Sequence, residues 1–274
     1  MYDEYVLYAC SDILPPMIIT LTTDIGWVYA GEMKGAILSI DPKANLVDIT
    51  HTVSPQNVIE GAFIIRSIVS SFPSGTIHIG IVDPGVGAGR NGIIIVCQDG
   101  ILVGPDNGLL IPAAERLGLK KVYQISNKKF ISKNVSNVFH GRDIFAPVAA
   151  YLSRGIKPHE MGKELRHYTN IEKGDVTIEP DSIRGQVMYI DPFGNIITNI
   201  PSALLTGLKW NEKVSVRIGG RLYTMQYLQS YGYAKAGEFL LTSSSFDLLE
   251  IACNMENASE KMAAVTGQPV TIIL

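Results

Sequence analysis

Strand-like and helix-like segments alternate over the first half of the chain, and this alternation limits the possible folds more than any other feature. Apolar, β-rich runs at 17–22, 46–50 and 76–82 are separated by two segments in which apolar residues recur at helical spacing. Each helical segment ends close to a proline, Pro42 or Pro73, which disfavours helical backbone in the residue before it. The order strand, helix, strand, helix, strand indicates a mainly parallel sheet with helices on its faces. Two further apolar runs, Ile93–Cys97 and Ile101–Gly104, are separated by a tight Asp99-Gly100 turn, which predicts a β-hairpin.

The C-terminal part has a different pattern, because its strand-like runs are short and lack helical segments between them. A Gly219-Gly220 pair between two of these runs predicts a hairpin turn. Such spacing favours a small antiparallel barrel or sandwich. We predict an N-terminal extension over residues 1–16, an α/β domain over 17–165, a polar linker over 166–182 and the second domain over 183–274.

The first sixteen residues are acidic and lack the basic region of a secretory signal. Pro15-Pro16 blocks any helix from continuing into the first strand. We therefore expect that Met17 is the true start, or that residues 1–16 form a poorly ordered extension.

Composition excludes several classes of function. Of 274 residues, 46% are hydrophobic and 18% charged, which is typical of a globular protein. The net charge of −3 supplies no basic excess for nucleic acid or an anionic membrane, and we find no apolar run long enough to span a bilayer. Cys10, Cys97 and Cys253 are far apart and fit no zinc spacing, so we expect reduced thiols in a cytoplasmic protein.

The strand at 76–82 runs into a loop that carries an acid and a base, Asp83 and Arg90. Three glycines within this loop permit close approach of the backbone to a ligand. In open α/β sheets, ligands bind beyond the carboxyl ends of the strands, which is where this loop lies. The simpler interpretation, a glycine-rich turn with a solvated salt bridge, stays open at this point.

Known nucleophile and phosphate motifs are missing from the sequence. It contains no GxSxG, no GxxxxGK[ST] and no GxGxxG after the first strand. An oxygen-rich metal site could be built from Asp24, Asp83, Asp106 and His140, so a metal-dependent phosphohydrolase remains an alternative. His78 lies within an apolar strand, and we predict that it is a hydrogen-bonded core histidine.

Five motifs, taken together and in order, resemble one family. They are Leu21-Thr-Thr-Asp-Ile-Gly26, Val82-Asp-Pro-Gly-Val-Gly87 with Arg90, Pro105-Asp-Asn-Gly108, Phe139-His-Gly-Arg-Asp143 and Asp191-Pro-Phe-Gly-Asn195. The chain resembles the S-adenosylmethionine (SAM) hydroxide adenosyltransferases, which are adenosine-forming SAM hydrolases related to fluorinases and chlorinases. The resemblance extends from Met17 to Leu274.

This resemblance implies an N-terminal α/β domain that binds SAM and a C-terminal antiparallel β-barrel that completes the site. It also implies a homotrimer in which the substrate lies between the N-terminal domain of one subunit and the barrel of its neighbour. Water or hydroxide would attack the ribose C5′ of SAM and release adenosine and methionine. Since the sulfonium leaves as a neutral thioether, we expect neither a metal nor a cofactor.

The catalytic residues of the family correspond to Asp83, Arg90 and His140. A guanidinium is never a base at usable pH, so Arg90 is expected to polarise the attacking water while Asp83 holds it in place. His140 would orient the water or accept its proton. Holding a nucleophile in line with the C5′–S bond can be worth about 7–11 kcal/mol.

Eight further residues are implied as substrate contacts by their positions in the motifs or in the family pattern. Asp24 would bind the ribose hydroxyls, Asp191 the methionine ammonium and Asn195 the adenine. Phe193 would pack on the adenine or in the core, and Tyr231 would stack on adenine from the neighbouring subunit. The other three are Asn107 in the Pro-Asp-Asn-Gly turn, Ser245 at the methionine carboxylate and Met255, through its backbone, at the adenine.

The chain departs from the family pattern at two positions, and two alternatives to hydrolysis follow from the resemblance. The loop after Asp24 is short and lacks an acid, with Trp27 and Tyr29 in its place, and Phe246 stands where halogenating relatives carry an arginine. Val86 has no hydroxyl where the fluorinase has one, which favours hydrolysis over SAM-dependent halogenation. The other alternative is a SAM- or adenosine-binding regulator with little turnover.

Overall fold

The computed structural model describes residues 17–171, 174–205 and 207–274. The predictions for residues 1–16 and for Cys10 lie outside the described residues. The described chain forms two β-sheets, one in each half of the molecule. The first is a mixed sheet between helices, and the second closes into a barrel.

The first sheet has six strands in the order β2-β1-β3-β5-β4-β6. The pairs β2–β1, β1–β3 and β3–β5 are parallel, whereas β4 pairs antiparallel with both β5 and β6. The prediction of a largely parallel sheet is confirmed, and so is the predicted Asp99-Gly100 hairpin. The strands are β1 Ile18–Thr23, β2 Asn45–Thr50, β3 Thr76–Ile81, β4 Gly92–Cys97, β5 Gly100–Pro105 and β6 Leu119–Gln124.

Helices cover both faces of this sheet. On one face lie α1 and α4, which bury Met33, Ile37 and Val148 in one cluster with residues of β1 and β3. On the other face lie α2 and α3, which bury Ala62 and Ile65 among the strand residues. The helices of this half are α1 Gly26–Ile40, α2 Val58–Ile68, α3 Ile111–Arg116, α4 Ala146–Ser153 and α5 Pro158–Met161, with a π-helical turn at Gly141–Phe145 directly before α4.

The second sheet is a closed barrel of seven strands in the order β14-β10-β11-β12-β13-β9-β8, with β14 paired back to β8. Closure removes the exposed strand edges that an open sheet would present. The strands are β7 Thr177–Glu179, β8 Ser182–Ile190, β9 Ile196–Pro201, β10 Lys213–Ile218, β11 Arg221–Tyr227, β12 Phe239–Ser243, β13 Leu248–Cys253 and β14 Pro269–Ile273, and α6 spans Ala258–Met262.

The barrel differs from the sequence prediction in three details. One pair, β11 with β12, is parallel in an otherwise antiparallel barrel. Strand β9, which directly follows the Asp191–Asn195 motif, was not predicted. Strand β7 lies within the predicted linker and pairs with β8 outside the closed ring. The domain boundaries themselves stay a prediction.

An aromatic cluster joins the two halves. Phe63 on α2 stacks on Tyr189 of β8, with ring centroids 5.5 Å apart, and meets the edge of Phe246 at 5.3 Å. Phe246 therefore contributes to the contact between the halves of one chain, where halogenating relatives were expected to have an arginine.

Candidate active site

The carboxyl ends of two neighbouring strands place the first two acids of the site. Thr23 at the end of β1 is paired with Ile81 at the end of β3, so the next residues leave the sheet side by side. The backbone N–H of Asp24 donates to the Ile81 carbonyl at 3.3 Å. Asp24 and Asp83 therefore lie at the same edge of the sheet, as the parallel arrangement predicts.

Asp83 and Arg90 form a bidentate ion pair within their loop. Nε of Arg90 lies 3.0 Å from each carboxylate oxygen, and Nη2 also donates to Oδ2. Both side chains are largely buried, with 6% of Asp83 and 12% of Arg90 exposed, and the guanidinium lies over the ring of Phe145. The solvated salt bridge of the simpler interpretation is therefore not what the structure shows.

His140 completes the group through Arg90. Nη2 of Arg90 lies 3.0 Å from Nδ1 of His140. Because a guanidinium can only donate, Nδ1 must accept, and the proton of the neutral ring is assigned to Nε2. Burial and the charge of Arg90 lower the pKa of His140, while the charges of Asp83 and Asp143 act in the opposite direction.

A small cavity adjoins this group. Its volume is about 70 Å³, which is enough for a water molecule and little more than a few atoms of a larger ligand. Asp83 and His140 both line it, whereas the rest of its wall is mainly apolar. The lining residues are Ile25, Ile81, Asp83, Val86, Val138, Phe139, His140 and Gly141.

Glycine at position 87 lets the Asp83–Arg90 loop approach the segment that precedes His140. Gly87 has φ of 76°, and a Cβ at this position would collide with the backbone carbonyl of Asn137. Asn137 belongs to the segment that leads into His140. The glycine spacing in the sequence predicted a close backbone approach, and here the partner is another loop of the protein.

Asn107 holds the backbone at the carboxyl end of β3, next to Asp83. Its Nδ2 donates to the Val82 carbonyl at 2.8 Å, and its Oδ1 accepts from the Leu109 N–H at 3.2 Å. Asn107 was predicted to contact substrate. In the structure its amide holds the backbone next to Asp83, through contacts that are distant in sequence, and the substrate contact stays a prediction.

Asp24 keeps part of its carboxylate available. Oδ2 accepts from the backbone N–H of Gln56 at 2.9 Å, and Gln56 adopts a left-handed backbone with φ of 65° to make this bond. In the short loop that follows, the ring of Trp27 packs edge-on against His51 and that of Tyr29 against Phe139. Aromatic surface thus stands where the family pattern has an acid.

The sequence alone does not assign a role to His51, which the structure places in a buried chain of hydrogen bonds. Nδ1 of His51 lies 2.9 Å from the Thr23 hydroxyl, and Nε2 lies 3.0 Å from Asp48, which also binds Lys34 at 2.9 Å. Burial would raise the pKa of Asp48, but hydrogen bonds from Lys34 and His51 bring it below its usual value. This chain fixes the turn that carries Asp24.

A second, larger cavity lies on the barrel. Its volume is about 700 Å³, and it brings together five of the predicted substrate contacts: Asp191, Phe193, Asn195, Tyr231 and Met255. Two of them are strongly exposed, Phe193 at 78% and Met255 at 85%. The remaining lining residues are Pro192, Cys253, Asn254, Glu256 and Asn257.

The polar residues of this cavity also hold one another. Asp191 accepts from the backbone N–H groups of Phe193 and Asn195 at 2.9 and 2.8 Å, and from the Asn195 amide at 2.9 Å. The Tyr231 hydroxyl donates to the buried Glu250 at 2.7 Å. Burial, followed by this hydrogen bond, raises the pKa of Tyr231, and burial likewise raises the pKa of Glu250.

Ser245 does not line this cavity. It precedes β13, whereas Met255 follows that strand, and a strand of six residues separates the two by about 20 Å. Of the eight predicted substrate contacts, the barrel cavity therefore gathers five. Asp24 and Asn107 lie at the edge of the first sheet, and Ser245 lies at the far end of β13.

The two cavities are distinct within one chain, and no described residue lines both of them. The part of the chain that the structure describes contains no group of three His, Cys, Asp or Glu side chains able to hold a metal ion. Asp83, one of the four residues considered for a metal site, is instead bound to Arg90 through both oxygens. In the described ranges no helix is long and apolar enough to cross a membrane.

Comparison with known proteins finds a match for each half of the chain. The sequence model of the SAM hydroxide adenosyltransferase N-terminal domain matches residues 19–162, and that of the C-terminal domain matches residues 185–271. The (R)-S-adenosyl-L-methionine hydrolase of Methanocaldococcus jannaschii is 35% identical over 93% of this chain and 94% of its own length.

Two further comparisons delimit the similarity. The crystal structure of an uncharacterized conserved protein from Thermotoga maritima superposes with a TM-score of 0.88 at 35% identity, covering 94% of this chain and 100% of that one. A fluorinase from an Actinoplanes species is more distant, with 28% identity over 93% of this chain and 97% of its own length. Both domains and their order are therefore shared with these proteins.

Proposed function

We propose that this chain, which belongs to the SAM hydroxide adenosyltransferase family, is an enzyme that hydrolyses SAM to adenosine and L-methionine. The observation that carries the proposal is the buried bidentate pair of Asp83 and Arg90, bonded through Arg90 to His140 beside a water-sized cavity. The curated relative at 35% identity is named an (R)-S-adenosyl-L-methionine hydrolase.

In the proposed reaction, hydroxide attacks C5′ of the ribose opposite the C5′–S bond. The C5′–O bond forms as the C5′–S bond breaks, and the bonding pair leaves on sulfur as the neutral thioether of methionine. A cationic sulfonium and an anionic hydroxide become two uncharged reaction centres, so the step needs no acid. A buried guanidinium beside the nucleophile stabilises hydroxide relative to water because its charge is weakly screened there.

The hydrogen bonds define what His140 contributes. Since Nδ1 accepts from Arg90, the neutral ring can offer the nucleophile only the N–H of Nε2. His140 therefore orients the oxygen, and the water proton leaves to solvent before attack. Of the two roles predicted from the sequence, orientation of the water agrees with this geometry, whereas acceptance of its proton would require the contact with Arg90 to break.

We assign the substrate contacts on the same basis. Asp24 has an oxygen available for ribose hydroxyls, and the exposed surfaces of Phe193, Tyr231 and Met255 suit the adenine ring. Asp191 supplies negative charge for the methionine ammonium, and Asn195 beside it suits the adenine edge. Asn107 acts through the Val82 backbone, and Ser245 is kept as a contact for the methionine carboxylate.

A homotrimer would unite the two cavities. The edge of the first sheet exposes Trp27, Tyr29 and Val138, and the barrel cavity exposes Phe193 and Met255. Exposed apolar clusters of this kind mark interaction surfaces. Because the two surfaces differ, their contact is heterologous, and such contacts generate rings when the rotation between subunits closes. We propose that the ring has three subunits, with each substrate between an α/β domain and a neighbouring barrel.

The configuration at sulfur is a further part of the proposal. The name of the Methanocaldococcus relative specifies the R epimer of the sulfonium. We propose the same preference here, together with independence from metals and cofactors. The cytoplasmic location predicted from the cysteines stays a prediction.

The proposal is tested by incubating the purified protein with each sulfonium epimer of SAM in water enriched in ¹⁸O. Mass spectrometry should find adenosine carrying ¹⁸O at the 5′ hydroxyl and unlabelled methionine, over many turnovers, and unchanged turnover in excess chelator. A halogenated nucleoside in fluoride or chloride would establish a halogenase. Adenosine released only in amounts equal to the enzyme would establish a regulator, and loss of activity with chelator would establish metal dependence.

A further inference from the structure

Asp143 lies three residues beyond His140 and is 3% exposed. Its carboxylate forms two bonds with Arg142, from Nε at 2.8 Å and from Nη2 at 3.1 Å, and accepts the backbone N–H of Ser136 at 2.8 Å. Burial would raise the pKa of this carboxyl, but the bonds from Arg142 and Ser136 hold it below its usual range. Asp143 is therefore an ionised group within the protein.

The backbone between His140 and Asp143 has unusual geometry. Gly141–Phe145 forms a π-helical turn, closed by the bond from the Ala146 N–H to the Gly141 carbonyl. Such turns are uncommon and concentrate at functional sites. His140 is the residue that enters this turn, so the direction of its ring depends on how the turn is held.

Asp143 holds the turn from both sides. Its backbone carbonyl accepts from the Ser132 N–H at 2.8 Å, while its carboxylate binds Ser136, so the segment before His140 is tied to the turn after it. The same segment carries Asn137, whose carbonyl lies against Gly87 in the loop of Asp83 and Arg90. Asp143 is thus connected to both parts of the catalytic group, although it contacts neither Arg90 nor the cavity.

We propose that Asp143 is a positioning residue for the hydrolysis, which fixes His140 against Arg90 and acts on the His140 ring with its negative charge. This inference rests on the proposed function for its catalytic part. Arg142 is the partner that keeps Asp143 ionised and in place. It extends to Glu32 on α1 at 2.8 Å and lies over the ring of Phe139 at 5.0 Å.

The charges around His140 set the direction of the expected effect. Arg90 faces the ring as a cation, and Asp83 and Asp143 act on it as anions. Burial and Arg90 lower the pKa of His140, and the two carboxylates raise it. Removing the charge of Asp143 must therefore lower the pKa of His140 further. Removing Arg142 takes away the two bonds that hold this carboxylate in place.

The test combines an NMR titration of His140 with steady-state kinetics on the full-length protein. The His140 resonance is assigned by its loss in His140→Gln. In Asp143→Asn we expect the His140 pKa to fall, and kcat to decrease about tenfold or more with KM changed less than about twofold. Arg142→Gln removes both guanidinium bonds to the Asp143 carboxylate, so it should lower kcat in the same way, and this variant carries the test if Asp143→Asn does not fold.

Glu32→Gln is the matched control, because Glu32 contacts the same guanidinium from its exposed side. It should leave the titration and kcat unchanged. An unmoved or raised His140 pKa in Asp143→Asn, or parental kcat in both the Asp143 and Arg142 variants, would overturn the inference. The titration needs no turnover, so a protein that fails to hydrolyse SAM while showing the lowered His140 pKa in Asp143→Asn refutes only the proposed function.

Discussion

Nη2 of Arg90 and Nδ1 of His140 lie 3.0 Å apart, and the direction of this hydrogen bond is not open to choice. The guanidinium has no lone pair to offer, so His140 must accept. A protonated imidazole cannot take part, because both of its nitrogens would donate. The contact therefore requires a neutral His140, and this requirement connects the geometry of the site to its dependence on pH.

We expect activity to fall at acidic pH with an apparent pKa below the usual histidine value of about 6.5. Burial and Arg90 lower the pKa of His140, so the neutral ring persists to lower pH, and the contribution of His140 is lost only as pH falls through that lowered pKa. The measurement is kcat/KM for SAM against pH, compared with His140→Gln. Ionisation of the attacking water gives a separate acid limb that His140→Gln keeps, so the assignment is contradicted if the parent shows no additional loss of activity below about pH 6.5 that this variant lacks.

Replacing Arg90 by lysine should reduce kcat by about 10²–10³ while KM changes little. Lysine keeps the charge but cannot form two parallel bonds to Asp83 and a third to His140. Steady-state kinetics on Arg90→Lys are compared with Arg221→Lys, at an exposed position on β11. Parental turnover in Arg90→Lys would show that positive charge alone is sufficient.

Gly87→Ala and Gly89→Ala form a matched pair. Both glycines have positive φ, 76° and 88°, so alanine at either position costs about 1–2 kcal/mol of backbone strain. Only at position 87 does the new Cβ also meet the Asn137 carbonyl. We expect Gly87→Ala to lose more thermal stability than Gly89→Ala and to lower kcat about tenfold more. Equal effects on kcat would mean that the contact between the loops is unimportant.

Mixing two inactive variants should restore activity if each site combines two subunits. Arg90→Lys disables the α/β half of a site, and Asp191→Ala disables the barrel half. In randomly mixed oligomers roughly a quarter of the sites have both halves intact. We expect activity of that order after unfolding and refolding the variants together, and none when they are refolded separately. Absence of recovery in verified mixed oligomers would place the whole site within one chain.

Stability should fall on acidification because of His78. This histidine is 1% exposed, bonds to the Thr20 hydroxyl at 2.9 Å, and burial lowers its pKa to about 4, which confirms it as a core histidine. Between that value and about 6.5 the unfolded chain binds the extra proton, so the free energy of unfolding rises with pH.

The expected loss from this residue is about 2 kcal/mol between pH 7 and pH 5. Urea denaturation at both pH values measures it, with His78→Gln as the comparison. The variant should lose about that much less on acidification than the parent does. Equal losses in the two proteins would show that His78 does not drive the change.

Much of the fold was predictable because local signals agreed with it. The apolar spacing through Met33 and Ile37 predicted α1, and both residues are buried against the sheet. The Asp99-Gly100 pair predicted the hairpin of β4 and β5. Strand β9 was missed because its pairing with β8 and β13 depends on residues distant in sequence.

For the candidate site, too, some features follow from the sequence and others only from the tertiary structure. The sequence by itself determined which side chains stand at the carboxyl ends of the strands, because a parallel sheet places Asp24 and Asp83 at one edge whatever the details of packing. The resemblance of its motifs to the SAM hydroxide adenosyltransferases implied Arg90 and His140 as partners of Asp83.

Only the tertiary structure decided how these groups are bonded. Hydrogen bonds between residues far apart in sequence commit Asn107 to the Val82 carbonyl and orient the His140 ring towards Arg90. Packing buries Asp143 within the π-helical turn and separates the barrel cavity from the group of Asp83, Arg90 and His140 in the same chain. The physical reason is that a side chain's partners depend on which segments meet in space, and local sequence patterns do not encode those meetings.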